Sequence, residues 1–98
     1  MSRPLQFTPA TSADIADAYE WYEGQHAGLG EEFRGELHVA CTLLAEFSDA
    51  GPAVHLNLRR LLLRRFPYAI YYRVVGAVIE VRGCLHLHRD PRAWRQRG

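Results

Sequence analysis

The chain contains no lysine; all twelve of its basic residues are arginine. This excludes the compact ammonium as a binding group and leaves the planar guanidinium fork, which suits phosphate and carboxylate and stays charged when half buried. Cysteine is nearly as scarce. Cys41 and Cys84 have no Cys-x-x-Cys spacing, so they make no disulfide framework and read as small hydrophobes, one in a helical and one in a strand pattern, with a single bridge between them the alternative that a reducing compartment disfavours. No apolar run approaches the ~20 residues needed to span a bilayer. The first residues, Met-Ser-Arg-Pro-Leu-Gln, hold no apolar signal stretch, so a cytoplasmic protein with no membrane partner is expected. Repeats, low-complexity tracts and long linkers are also missing. Residues 1–98 therefore read as a single small domain. With 48% apolar and 23% charged residues, such a chain can bury one core without disulfide or metal.

The net charge of +1 conceals a division. Residues 1–52 carry two arginines and nine acids, 2 − 9 = −7, and residues 53–98 carry ten arginines and two acids, 10 − 2 = +8. Genome composition can account for choosing arginine over lysine, but not for crowding it into one half. A basic half on a nearly neutral protein points to an anionic partner.

The apolar pattern changes period at the same place. Leu5-Gln6-Phe7 reads as a short strand. Thr11 and Ser12 offer helix caps, with Asp14 and Asp17 placed in the first turns where the helix dipole favours acids. Ile15, Ala18, Tyr19 and Tyr22 then share one helical face. A second helix opens near Leu29, and Phe33, Leu37, Ala40, Leu44 and Phe47 form its stripe. Asp49-Ala50-Gly51-Pro52 ends it. The short connection predicts an antiparallel helical hairpin.

From residue 58 the period is two. Leu61 and Leu63 alternate with Arg60, Leu62 and Arg64. Ile70, Tyr72 and Val74 share one side of the next strand, and Gly76 permits a hairpin. In the last strand, Val78 to His86, the alternation puts Ile79, Val81 and Leu85 on one side and Glu80, Arg82, Cys84 and His86 on the other. Asp90-Pro91 caps a short helix carrying Trp94. The predicted class is α+β, in the order β-α-α-β-β-β with a short C-terminal helix. The hairpin covers one face of a small antiparallel sheet. Arg60, Arg64, Arg82 and His86 are expected together on the uncovered face.

Three segments resemble the RelE/ParE toxin superfamily. They are the run from Leu63 to Arg73, the ending His86-Leu87-His88-Arg89-Asp90-Pro91-Arg92-Ala93-Trp94 of the form H-x-x-R-D-P-x-x-W, and Trp21-Tyr22-Glu23 followed by Gly28-Leu29-Gly30-Glu31-Glu32-Phe33. Together they extend the resemblance from about residue 10 to residue 97. It implies a bacterial type II toxin neutralised by a tightly bound cognate antitoxin. It leaves two targets open, because one branch cleaves messenger RNA on the ribosome and the other inhibits DNA gyrase.

Metal-free RNA cleavage needs a base, an acid and cations around the phosphorane. His86, Arg82 and Arg89 are the catalytic candidates under that reading, with aromatic rings available to stack on a base. The chain departs from the ribonuclease branch in lacking its lysines and a tyrosine close to the C-terminus. His86-Leu87-His88 has too few further ligands for a metal site, and no cofactor is expected. Arg60, Arg64, Arg65, His88 and Trp94 are the candidates for binding target or antitoxin. The bland roles compete: His86 as a strand-end hydrogen-bonding residue, Trp94 as packing of the terminal helix, and Arg65 and Arg73 as ion-pair partners of Glu80 or of helix acids. The long second helix and the low net charge favour the gyrase branch. A partner-binding module with the toxin fold and no toxicity is the remaining alternative.

Overall fold

The computed structural model describes residues 2–88 and 91–98. Its elements are β1 (Leu5–Phe7), α1 (Pro9–Gln25), α2 (Leu29–Glu46), β2 (Ala53–His55), β3 (Leu58–Leu62), β4 (Tyr68–Val75), β5 (Val78–His86) and α3 (Pro91–Arg95). The α+β class and the order of the elements agree with the sequence reading. β2 is additional, and the sheet is mixed: its order is β1-β5-β4-β3-β2, with β1 parallel to β5 and the other pairs antiparallel.

α1 starts earlier than its acids imply. Thr8 is the N-cap and accepts from Thr11 N–H at 3.2 Å, with Pro9 in the first turn. Proline is pre-organised there and loses no needed donor. Thr11 is instead fully buried, and its hydroxyl donates to the Val81 carbonyl at 2.9 Å, tying α1 to β5. Asp14 and Asp17 thus lie beyond the first turn. Between the helices Gly28 takes φ +91°, and the Glu23 carboxylate accepts from the N–H groups of Gly28 and Gly30. One side chain thereby satisfies donors that the start of α2 would otherwise leave open.

The main core lies between the hairpin and one sheet face. Phe33, Leu44, Ile70, Tyr72 and Ile79 are fully buried there. Burying a side chain such as Phe33 contributes about 1.5–3 kcal/mol. Tyr72 keeps its hydroxyl satisfied by donating to the Ser48 carbonyl at 2.8 Å and accepting from Gly51 N–H at 2.9 Å. Gly51 admits no side chain, since a Cβ would lie 2.5 Å from the Arg60 carbonyl.

A bulge in β5 rearranges the two faces. Tyr71 pairs with Gly83 and Tyr72 with Val81, so Arg82 is the extra residue. An inserted residue reverses the alternation beyond it. Cys84 therefore joins Ile79 and Val81 in the core under the helices, and Leu85 turns to the opposite face. The strict alternation expected from the sequence had these reversed.

β1 reaches only Ile79–Val81 of β5, and β2 only the first residues of β3. The sheet is five strands wide at one end and three at the other. At the narrow end, residues 61–63 and 84–86 form its two borders, and the edge of the helical layer above each border is left open.

Candidate functional site: two flanks of the hairpin

The uncovered arginine face expected from the sequence does not exist. Leu58, Ala69, Tyr71 and Leu85 form a second, smaller core on that face, with Ala93 and Trp94 packed on it. The Trp94 ring stacks on Tyr71 at 5.6 Å and 12°. The chain's own C-terminal segment fills the space.

The candidate arginines disperse accordingly. Arg60 faces this covered side by its pairing with Tyr71 and is half-buried. Arg82 is held there by Glu80 and by the Arg97 carbonyl. Arg64 follows the end of β3, is exposed and borders a groove against α2. Arg65 pairs with Glu32 of α2 at 2.8 Å, and Arg73 pairs with Glu80 at 3.3 Å, as the competing structural reading had it. His86, carried across by the bulge, borders a cleft against α1. His88 is exposed and donates its backbone N–H to His86 Nδ1 at 3.1 Å. Arg89 lies outside the described residues, as does Asp90. His86 and Arg82, two of the ribonuclease candidates, thus occupy opposite faces. No group of three or more potential metal ligands occurs among the described residues.

Of the surface depressions among the described residues, two lie on opposite flanks of the hairpin, beside the two borders at the narrow end of the sheet. The first runs between α2 and the end of β3. Val39, Leu43 and Leu62 are 57%, 42% and 51% exposed and line it, with Leu61 and Leu63 beneath and Glu36 and Arg64 at the rim. Val39 and Leu43 are four residues apart on α2, so they project side by side. Solvated aliphatic side chains clustered beside a free strand border mark a surface that gains by being covered.

The second depression lies between α1 and the end of β5. Trp21, Tyr68 and His86 border two adjoining hollows of about 220 and 500 Å³, with Asp14 and Asp17 on the smaller. Trp21 is 59% exposed and meets Tyr22 edge-on at 5.1 Å. Tyr68 and His86 meet edge-on at 5.2 Å. Asp14 is anchored: Arg97 grips its carboxylate with two nitrogens at 2.8 and 3.2 Å, and Cys84 N–H donates to it at 3.1 Å. The neighbouring carboxylate raises the Arg97 pKa. Burial, with Asp14 nearby, pushes the Cys84 thiol up to about 12, and burial pushes Cys41 up to about 11. Both thiols are free, and at neutral pH they are protonated and poor nucleophiles. The helical face that the sequence predicts for Tyr19 and Tyr22 is only partly buried. Tyr22 does pack, Tyr19 donates to Glu31 at 2.9 Å, and Trp21 instead faces solvent. The Asp14, Asp17, Ala18, Trp21 spacing of three, four and seven was the available signal for this flank.

No helix among the described residues is long and apolar enough to cross a membrane. No curated protein matches the chain by sequence. Among solved structures, the chromosomal ParDE TA system from P. aeruginosa superposes with a TM-score of 0.77 at 20% identity, covering 87% of this chain and 96% of that one. At that identity the likeness establishes the fold. The family model for the ParE toxin of the type II toxin–antitoxin system, parDE, matches residues 5–91. With the match running from β1 to the start of α3, the chain belongs to the ParE toxin family of type II toxin–antitoxin systems.

Proposed function

We propose that this protein is a growth-arresting toxin of the cytoplasm, neutralised by a cognate antitoxin that covers the α2–β3 flank. The observation that carries the reading is the exposed aliphatic trio Val39, Leu43 and Leu62 at an open strand border, with Arg64 at its rim. An amphipathic antitoxin segment lays apolar side chains against the trio and sets an acid against Arg64. The groove is shallow, so affinity comes from area covered rather than from a deep pocket.

The arrest acts on DNA gyrase by binding, with no bond broken. The separation of His86 from Arg82 across the sheet supports this reading. A general base and the cation that stabilises its transition state must converge within a few ångströms of one phosphate. Here the guanidinium is also engaged by Glu80 and a carbonyl.

The test is expression without antitoxin, followed by parallel assays of purified gyrase and of programmed ribosomes. Growth arrest with loss of supercoiling, unchanged by His86→Ala, is expected. Message cleavage abolished by His86→Ala overturns the gyrase reading in favour of the ribonuclease. Normal growth with folded protein present overturns toxicity in favour of an inert binding module.

A further inference from the structure

The α1–β5 flank has a chemistry that the α2–β3 flank lacks, and neither neutralisation nor the gyrase reading uses it. Asp14, Asp17 and Trp21 are spaced by three and four residues and form one stripe along α1. The inner carboxylate, Asp14, is already filled by the chain's own Arg97 in a two-nitrogen grip. The outer carboxylate, Asp17, is exposed and has no ion-pair partner among the described residues. Beyond it stands the solvated Trp21 ring, with Tyr68 and His86 as the opposite wall.

We propose that this cleft receives the side chain of an arginine carried by a partner protein. The guanidinium stacks on the Trp21 ring and directs its N–H groups to Asp17, repeating one turn outward the pairing that Arg97 makes with Asp14. A planar cation satisfies both groups of α1 at once, the ring through its π face and the carboxylate through paired donors. A neutral apolar side chain leaves Asp17 unmatched, and an anionic one is repelled by it. Lysine supplies the charge but not the plane or the fork. Trp21 offers a large apolar face at low entropic cost, which is how recognition surfaces use such residues.

The test needs neither antitoxin nor toxicity, so its outcome is separate from the function proposed above. The ¹⁵N-labelled full chain is titrated with the peptide acetyl-Leu-Arg-Leu-amide and, in parallel, with its citrulline analogue, which keeps the shape and loses the charge. Arginine peptide is expected to shift the Trp21 indole N–H and the amides around His86, and the citrulline peptide to shift them far less. Asp17→Asn and Trp21→Ala, both at exposed positions, each weaken binding about fivefold, whereas Glu46→Gln, which removes an exposed carboxylate at the far end of α2, leaves it unchanged. Equal shifts with citrulline, shifts that survive Asp17→Asn, or no shift at millimolar peptide overturn the proposal. A Trp21 resonance that moves with protein concentration alone also overturns it, by making a second copy of this chain the occupant.

Discussion

The two flanks of the hairpin share a scaffold and differ in their edging. Each lies where a helix passes over a strand border that β1 or β2 fails to cover. On the α2 side the edging is aliphatic, with Arg64 and Glu36 at the rim, and on the α1 side it is aromatic, with Asp17 beside the arginine-bound Asp14. Aliphatic surface is non-directional and rewards area, so the α2 groove accepts any segment of suitable shape and leaves polarity to Arg64. Rings and a fixed carboxylate are directional, so the α1 cleft discriminates by charge and plane. The charge division of the sequence does not reappear as a basic face, because Arg65, Arg73, Arg82 and Arg97 are engaged by Glu32, Glu80 and Asp14.

The largest expected effect breaks the α2 side. Leu43→Glu places a carboxylate where antitoxin must cover it, and calorimetry should show affinity falling by about a hundredfold or more. Leu43 is partly solvated in the free protein, so its folding should be little affected. Asp17→Asn and Trp21→Ala should leave antitoxin affinity within about twofold, because neither residue lines the α2 groove. The reverse pattern, with loss at Asp17 and tolerance at Leu43, would move the antitoxin to the α1 flank.

Next in size is a stability effect that sharpens the α1 side. The Asp14 and Arg97 side chains are only 12% and 25% exposed. Arg97→Ala strands the Asp14 carboxylate beside Cys84 and should cost about 2 kcal/mol in urea unfolding. It also leaves two carboxylates open in the cleft, so the arginine peptide should bind the variant more tightly than the parent protein. Weaker binding to Arg97→Ala would mean that the C-terminal segment itself builds the cleft wall.

Much of this molecule was legible in its residues, and the misses have specific causes. The helix stripe from Phe33 to Leu44, the inward set Ile70, Tyr72 and Val74, and the hairpin at Gly76 follow from periodicity and glycine chemistry, and all appear as expected. What carried His86 off the expected arginine face was one residue, Arg82. Periodicity assumes an unbroken pleat, and nothing about Arg82-Gly83 announces a bulge except the glycine. That glycine lets Arg97 cross to Asp14, where a Cβ would stand 3.2 Å from Nη1. The covering of the far face was missed for a different reason. Trp94 reads from the sequence as a binding candidate with packing as its competing role, and a terminal helix of five residues carries too little pattern to reveal which surface it covers. Composition exposed the charge asymmetry and could not say that Arg65, Arg73 and Arg82 spend theirs on Glu32 and Glu80.

A smaller effect at neutral ground isolates the two flanks from the fold that carries them. Glu80 lies on the α3-covered face, away from both depressions, and its carboxyl is held below the usual range by the hydrogen bond from Arg82 and then by Arg73. A depressed folded pKa means that the unfolded chain takes up its proton first as pH falls. The contribution of Glu80 is therefore complete above the unfolded glutamate value of about 4.3 and is lost as pH drops through the lower folded value. Glu80→Gln should cost less than about 1 kcal/mol at pH 7, the scale of a partly exposed pair, and should flatten the acid limb of the stability curve. Urea unfolding between pH 7 and pH 3 reads both. Because Arg82 then keeps the Arg97 carbonyl as its remaining partner, the C-terminal segment should stay in place. Antitoxin affinity and arginine-peptide binding should both be unmoved. A change in either would mean that the far face controls the flanks, and their contrast would then belong to the sheet rather than to the side chains that edge it.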